Sequence, residues 1–368
     1  MRVAVYYNNR DVRIQEIPTP EIADDEILLK VMASGICGSD VAEWYRVPKA
    51  PKVLGHEAAG IIEKTGKVVK GFSTGDRVFV SHHVPCNKCR CCRRGHHTAC
   101  ETLHTNNYYP GGFSEYIQVP RINVEQGTYK MPAEMSFAEG TFIEPLACVL
   151  RGQRIAEIRR SDTVLIFGAG VSGLLHLKLA KLRGVKRVTV ADINPYRLAL
   201  AEKIGADHTI DARENVPEKL EEANNGKLAD QIINCTGAIK AALTGLECLD
   251  KGATILFFAV PPPDFKIPVP ITRFWRNEIT IKTSYGAAPS DLQEALAILS
   301  KKEIDVSDMI THKLSLDETS EGFRLMSEAD KSLKVIIEPN RPRKNSKSTD
   351  AAQLKLSQDF SLSGAATC

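Results

Sequence analysis

Four cysteines stand close together in one short segment of the chain. Their spacing is Cys-x2-Cys-x2-Cys-x7-Cys, formed by Cys86, Cys89, Cys92 and Cys100. This spacing lets one compact lobe, residues 86–100, present four thiolates at the corners of a tetrahedron, as a closed structural zinc site requires. Cys91 interrupts the run and is an alternative ligand to Cys92. The segment therefore predicts a bound Zn²⁺ ion.

A second group of metal-binding residue types lies upstream. Cys37 is followed by Ser39 and Asp40, and the pair His56-Glu57 comes later. Taken alone, a cysteine and a histidine at this distance are more often a buried thiol and a core histidine than a metal site.

A glycine-rich segment predicts a dinucleotide site. Gly168, Gly170 and Gly173 follow the apolar run Thr163–Phe167 and open a helical run, and Asp192 comes nineteen residues after Gly173. In this context the glycines allow a tight turn, and backbone N–H groups at the helix start can approach a pyrophosphate.

The residues around this segment indicate which dinucleotide is bound. The Asp192 carboxylate would accept hydrogen bonds from the adenosine ribose and repel a 2′-phosphate, which favours NAD over NADP. Arg197 lies nearby and weakens that preference. The full predicted set of cofactor-binding residues is Gly168, Gly170, Val171, Ser172, Gly173, Asp192, Ile193, Arg197, Cys235 and Thr236.

The chain of 368 residues is long enough for two domains, with 43% hydrophobic and 25% charged residues. Short alternating runs in residues 1–150 predict a mostly β domain, and helices alternating with strands in 151–285 predict a doubly wound parallel sheet. Residues 286–339 are expected to return to the first domain, and 340–368 to form a flexible tail.

Composition also excludes some partners. The net charge of +3 gives no reason to expect nucleic acid, and Arg90, Arg93 and Arg94 beside the cysteines are interpreted as a solvated loop face. No apolar run reaches the ~18–20 residues that span a bilayer. The N-terminal segment has the pattern of a strand, not of a signal peptide, and metal is a better interpretation of the cysteines than disulfides, so a cytoplasmic location is expected.

Together these motifs resemble the zinc-dependent medium-chain dehydrogenases of the alcohol dehydrogenase superfamily, in the branch with sorbitol and threonine dehydrogenases. The resemblance covers about residues 1–339 and implies a Rossmann NAD domain with a mostly β, GroES-like catalytic domain. The shared segments include Gly55–Glu57, Gly75–Val78, Gly112–Tyr116, Glu144–Leu146 and Asp192–Leu198.

The resemblance assigns roles to the upstream group. Cys37 and His56 become ligands of a catalytic zinc, with Glu57 a third or alternate ligand. Asp40 orients His56, and Ser39 receives the proton of the substrate alcohol. With the four-cysteine site this makes two Zn²⁺ ions per chain, one catalytic and one structural.

The last catalytic ligand stays open between two residues. Glu144, which precedes a proline, matches polyol and threonine dehydrogenases and is preferred; Cys148 competes, because carboxylate and thiolate both bind zinc. The aromatic residues Trp44, Tyr45, Phe113 and Tyr285 are candidates to line the pocket, with core packing as the alternative. Four nearby histidines are expected at the surface: His82, His83, His96 and His97.

The implied activity is hydride transfer from a secondary alcohol, such as a polyol or cyclitol, to NAD⁺, giving a ketone. An amino-alcohol activity like that of threonine 3-dehydrogenase is an alternative, and a non-catalytic NAD-binding relative is another. Two departures stand out: Ala42 replaces a relay histidine, and Thr283–Ala287 does not contain the arginine–tyrosine pair with which sorbitol dehydrogenases hold substrate. The family also implies a homo-oligomer, a tetramer before a dimer.

Overall fold

The computed structural model describes residues 1–341. The strands, in chain order, are β1 (Arg2–Asn8), β2 (Asp11–Glu16), β3 (Ile27–Gly35), β4 (Lys52–Val53), β5 (Glu57–Thr65), β6 (Arg77–Ser81), β7 (Tyr116–Val119), β8 (Thr128–Lys130), β9 (Thr163–Phe167), β10 (Arg187–Asp192), β11 (His208–Asp211), β12 (Ala229–Asn234), β13 (Leu249–Phe257), β14 (Thr280–Thr283), β15 (Ile310–Ser315) and β16 (Lys334–Glu338). The helices are α1 (Glu43–Arg46), α2 (Arg90–Arg93), α3 (Glu101–Thr105), α4 (Arg121–Gly127), α5 (Phe137–Gly140), α6 (Ile143–Ala156), α7 (Val171–Leu182), α8 (Pro195–Ile204), α9 (Val216–Ala223), α10 (Ile239–Glu247), α11 (Ile271–Arg276), α12 (Pro289–Ser300) and α13 (Thr319–Glu328).

One sheet is parallel and six-stranded, in the order β11-β10-β9-β12-β13-β14. All its neighbouring strands run parallel. The order 3-2-1-4-5-6 is that of the Rossmann fold. Every residue of the central strand β9 is buried, as expected for a strand covered by helices on both faces. The predicted doubly wound sheet is confirmed.

The two faces of β9 contact different helices. Val164 and Ile166 pack with apolar residues of α6 and α7. Leu165 and Phe167 pack with apolar residues of α9 and α10. Because side chains alternate along a strand, the five-residue strand Thr163–Phe167 contributes apolar side chains to the hydrophobic cores on both faces of the sheet.

The second large sheet is mostly antiparallel and follows the order β15-β16-β3-β5-β6-β8, with β7 also paired to β3. A smaller sheet has the order β2-β1-β4. Strand β16 pairs antiparallel with β3, and β15 runs parallel to β16. The last strand of the described chain, β16, therefore belongs to the same sheet as the early strand β3. The expected mostly β domain is confirmed.

The domain boundaries after residues 150, 285 and 339 stay predictions. Of the expected flexible tail, 340–368, only Asn340 and Arg341 are among the described residues, and Asn340 Nδ2 donates to the carbonyl of Val31 at 2.8 Å. None of the helices within residues 1–341 is long and apolar enough to cross a membrane.

Candidate active site

Two neighbouring strands bring the upstream metal-binding residues together. In the antiparallel register of β3 and β5, Gly35 lies opposite Glu57. Cys37 follows the end of β3 by two residues, and His56 directly precedes β5. One ligand atom each of Cys37, His56 and Glu57 lies within 4.8 Å of the others. A thiolate, an imidazole and a carboxylate at this separation fit a zinc ion with room for a further ligand.

Asp40 is buried beneath His56 and faces its second ring nitrogen. The His56 Nδ1 lies 3.3 Å from Asp40 Oδ1, and the Cys37 backbone N–H donates to Asp40 Oδ2 at 3.1 Å. Burial by itself raises the pKa of Asp40, but His56 and Arg46 bring that pKa below its usual value. A carboxylate in this position can orient an imidazole whose other nitrogen is free to bind a metal, and this role of Asp40 stays a prediction.

A lysine that the sequence analysis missed stands behind Glu57. Lys334, the first residue of β16, forms an ion pair with Glu57 Oε2, and both side chains are only 1% exposed. Gly35 leaves the space for this pair, because a Cβ there would overlap Glu57 Oε2 and Lys334 Cε. A lysine that begins an otherwise apolar buried strand was the available signal, since a buried cation requires a partner.

Glu144 and Cys148 lie one turn apart on α6. The Cys148 thiol donates to Glu144 Oε1 at 3.4 Å, and both side chains are half-buried. Burial raises the pKa of Glu144, while His56 opposes that effect. Within the described residues, the group of close ligand atoms contains neither Glu144 nor Cys148. The role of Glu144 as a ligand therefore stays a prediction.

The Ser39 hydroxyl accepts a hydrogen bond from the guanidinium group of Arg46. Arg46, the last residue of α1, donates from Nη2 to Ser39 Oγ at 3.1 Å and to Asp40 Oδ1 at 2.8 Å. Arg46 has no role that its place in the sequence indicates. The contact forms because the short helix α1 directs Arg46 back toward residues 37–40. Composition and periodicity do not predict the direction of such a short helix.

The expectation that His82 and His83 are surface residues is wrong. The rings of His82 and His56 have centroids 4.9 Å apart, and those of His82 and His83 are 3.7 Å apart. Burial lowers the pKa of His83 to about 3, so its imidazole is neutral at pH 7. His96 is exposed and His97 is half-buried.

The four aromatic candidates separate into two groups. Phe113 is a core residue, 1% exposed, and packs edge to face on Phe323. Trp44 and Tyr285 are each about half exposed, and Tyr45 is half-buried. Burial raises the pKa of Tyr285, and Tyr45 and Glu144 add to that effect.

The four-cysteine segment forms a closed cluster. The sulfur atoms of the cluster all lie within 4.8 Å of one another, and none of the four forms a disulfide. The members are Cys86, Cys89, Cys92 and Cys100. Cys91 is not a member, so the geometry favours Cys92 over Cys91 as the ligand. The Cys89 N–H lies 3.3 Å from Cys86 Sγ, and the N–H groups of Lys88 and Cys89 lower the pKa of Cys86, which favours the thiolate that a zinc site needs.

The glycine motif has the geometry of a dinucleotide site. Gly168 follows β9 with φ of +93°, and Gly170 caps the start of α7. A Cβ at Gly173 would overlap the Gly168 carbonyl oxygen, so only glycine permits this close approach of helix and turn. Cys235 and Thr236 border the same turn, within 3.3 Å of a Cβ at Gly168. The start of α7 therefore presents free backbone N–H groups to a phosphate.

Charged residues on both sides of the turn fit the same cofactor. Asp192 ends β10 and accepts from the Ala169 N–H at 2.6 Å through Oδ2. Arg197 Nη1 lies 3.8 Å from a Cβ at Gly170, and among the described residues the buried Nε of Arg197 has no partner. A buried guanidinium nitrogen without a partner beside a helix start suits a pyrophosphate oxygen. Ile193 is 63% exposed, and Val171 and Ser172 begin α7.

Comparison with known proteins agrees with this geometry. Residues 23–132 match the alcohol dehydrogenase GroES-like domain, and residues 172–301 match the zinc-binding dehydrogenase family. Sorbitol dehydrogenase of Bacillus subtilis is 30% identical over 351 residues, 93% of this chain and 98% of that protein. L-threonine 3-dehydrogenase of Alteromonas mediterranea is 32% identical over 338 residues, 89% of this chain and 96% of that protein.

Two solved structures share the fold over nearly their whole length. A protein described as a zinc-binding dehydrogenase of Sinorhizobium meliloti 1021, bound to NADP, has a TM-score of 0.82 at 27% identity, over 92% of this chain and 99% of that one. An alcohol dehydrogenase of Escherichia coli CFT073, complexed with NADH, gives the same score, identity and coverage. The chain belongs to the zinc-containing medium-chain alcohol dehydrogenase family, and it is a zinc-dependent dehydrogenase that acts on CH–OH donors with NAD or NADP.

Proposed function

We propose that this enzyme oxidises a secondary alcohol of the polyol or cyclitol class to a ketone with NAD⁺ as the hydride acceptor. The observation that carries the proposal is the convergence of Cys37, His56 and Glu57 within 4.8 Å, beside the hydroxyl-bearing Ser39. The relatives named sorbitol dehydrogenase and D-xylulose reductase support a hydroxyl-rich substrate.

Different residues of the chain bind the metal, orient a metal ligand and accept the proton of the substrate. When bound, zinc supplies a Lewis acid for the substrate oxygen and NAD⁺ accepts the hydride. Cys37, His56 and Glu57 hold the metal, Asp40 orients His56, and Ser39 Oγ accepts the proton of the alcohol. A second zinc, held by the four-cysteine cluster, is structural.

The test of this proposal is NADH formation by zinc-replete protein with a panel of polyols, cyclitols, simple secondary alcohols and threonine. Cys37→Ser removes a ligand of the catalytic zinc, whereas Cys91→Ser alters a lobe cysteine outside both ligand sets. We expect turnover on a hydroxyl-rich alcohol, lost in Cys37→Ser and kept in Cys91→Ser. Metal analysis should give two zincs per chain, and about one after Cys37→Ser.

Two outcomes would replace the proposal. Turnover of threonine alone would favour the amino-alcohol alternative, which the 32% identity to L-threonine 3-dehydrogenase also supports. Binding of NAD without turnover of any alcohol would favour the non-catalytic relative.

The place of Glu144 is part of the same proposal. We assign Glu144, through its carboxylate or a bridging water, to the shell of the catalytic zinc, because α6 presents it half-buried beside Cys148 and it lies near enough to His56 for that histidine to oppose the rise of its pKa. Glu144→Gln should lower turnover more than Cys148→Ser does. The reverse order would assign the ligand to Cys148.

The preference for NAD over NADP depends on Asp192. Its carboxylate is 8% exposed at the end of β10, where the adenosine ribose binds in this fold. Asp192→Ala should bring the kcat/KM values with NAD and NADP closer together. An unchanged ratio would remove Asp192 from this role.

A homo-oligomer, a tetramer before a dimer, is also proposed. Strand β14 lies at the edge of the parallel sheet, with Ile281 on it and Trp275 nearby exposed to 40% and 77%. An unpaired strand edge beside exposed apolar side chains favours association. Light scattering of the purified protein measures the assembly, and a monomeric mass would refute it.

A further inference from the structure

Arg46 lies against two residues that carry the proposed chemistry. Its Nη2 donates to Ser39 Oγ at 3.1 Å and to Asp40 Oδ1 at 2.8 Å, and its Nε donates to the Ser39 carbonyl at 3.0 Å. The side chain is only 15% exposed. Two of these hydrogen bonds fix the main chain and the hydroxyl of Ser39, and the third holds the Asp40 carboxylate.

The donor and acceptor count of a hydroxyl shows what this contact does. A serine hydroxyl has one proton to donate and two lone pairs to accept with, whereas a guanidinium only donates. Arg46 therefore occupies one lone pair of Ser39 Oγ and cannot take its proton. One lone pair and one proton remain, which is what a relay needs to receive a proton and release another.

The same guanidinium also holds the carboxylate beneath the metal-binding histidine. Asp40 Oδ1 is shared between Arg46 and His56 Nδ1, and Asp40 Oδ2 accepts from the Cys37 N–H. Asp40 is fully buried, so these protein groups replace its contacts with water. Loss of Arg46 would leave the carboxylate oxygen nearest His56 with one partner fewer.

We infer that Arg46 is a positioning residue that sets the Ser39 hydroxyl for proton transfer and braces the Asp40–His56 pair. This inference rests on the proposed function. In oxidation, Ser39 Oγ receives the proton of the substrate hydroxyl and releases its own proton to solvent water, so one proton leaves per hydride transferred. Ala42 brings no titratable side chain to this exit, and Arg46 orients the Ser39 hydroxyl by its hydrogen bonds to Ser39 Oγ and to the Ser39 carbonyl.

The first test is a double-mutant cycle between Arg46→Lys and Ser39→Ala. Lysine keeps the positive charge but cannot donate from several nitrogens of one plane, so the Ser39 hydroxyl is no longer held in place. Turnover should fall about 10- to 100-fold, as for other small misplacements of a reacting group. In the Ser39→Ala background the same change should have a clearly smaller effect, because only the part that acts through Asp40 and His56 remains. An equal loss in both backgrounds would refute the relay role.

The second test needs no substrate. The rate at which a chromophoric chelator removes the catalytic zinc should rise about tenfold in Arg46→Lys, because an outer-shell partner of a ligand is weakened. Zinc of the four-cysteine cluster should leave at its usual rate, and Lys49→Met, which removes a cation that lies on the Tyr45 ring, should change neither rate. Unchanged release of the catalytic zinc would refute the bracing role.

The two tests separate failure of the inference from failure of the proposed function. If wild-type enzyme oxidises no alcohol, the proposed function and the relay role fall together, while the chelator rates still decide whether Arg46 braces Asp40. If wild-type enzyme is active and the cycle shows no coupling, only the relay role is wrong.

Discussion

The buried pair Lys334–Glu57 gives the sharpest stability prediction. Both side chains are 1% exposed, so neither charge has water to replace its partner. Replacing Lys334 with methionine keeps the apolar stem and leaves Glu57 as a buried charge without its cation. Removal of one member of such a pair costs about 3–5 kcal/mol of the free energy of unfolding. For a unit of 150–250 residues this corresponds to a Tm lower by about 6–20 °C.

The assay is urea unfolding and thermal melting of chelator-treated protein, since zinc held by Glu57 would itself neutralise that carboxylate and add to stability. Lys313→Met is the matched control, because Lys313 is an exposed lysine on the neighbouring strand β15. Its effect should stay within about 0.5 kcal/mol. The double variant Glu57→Gln/Lys334→Met removes both charges and should recover most of the loss.

Two results would contradict this reasoning. If Lys334→Met unfolds at the same urea concentration as the wild type, the pair is either solvated or absent. If the double variant is less stable than Lys334→Met alone, the loss comes from packing of the lysine stem and not from the unpaired carboxylate.

Burial lowers the pKa of His176 in the folded protein from about 6.5 to about 3. Below pH 6.5 the unfolded chain therefore binds a proton that the folded chain does not, and the free energy of unfolding decreases as the pH is lowered. At about 1.4 kcal/mol per pH unit, this group lowers the free energy of unfolding by about 2 kcal/mol between pH 7 and pH 5. His176→Gln should abolish this contribution when urea unfolding is compared at the two pH values. An unchanged pH dependence of the free energy of unfolding would exclude His176 as its source. Gly173→Ala places a Cβ against the Gly168 carbonyl oxygen, so we expect NADH binding, followed by fluorescence, to weaken by about tenfold or more at unchanged zinc content; an unchanged Kd would show that the turn adapts. Cys100→Ser should reduce bound zinc from two to one per chain, and two zincs retained would show that three cysteines suffice.

Local patterns predicted a large part of the fold. The apolar strand Thr163–Phe167, the glycines after it and the predicted strand Arg187–Ala191 are short-range signals, because burial on both faces and a tight phosphate turn each need particular residues in a row. The four-cysteine cluster was equally readable, since all its ligands lie within fifteen residues. The structure agrees with each of these predictions.

Contacts between distant parts of the chain were not predictable in the same way. Lys334 is 277 residues from Glu57, and no periodicity links a lysine on one strand to a glutamate on another. His82 and His83 were expected at the surface, because a histidine pair in a polar segment gives no sign that the ring of His82 packs against His56. Arg46 was overlooked because its role depends on the direction of a four-residue helix.

The pairing of β16 with β3 has a consequence for the order in which the protein is made. Translation delivers Cys37, His56 and Glu57 early, but the cation for Glu57 arrives only when residue 334 has been synthesised. Until then a nascent chain holds a carboxylate without its partner at the edge of an incomplete sheet, and long-range strand pairing is slow to form. The catalytic pocket is therefore among the last parts of the enzyme to mature, whereas the four-cysteine lobe, complete by residue 100, can take up its metal far earlier.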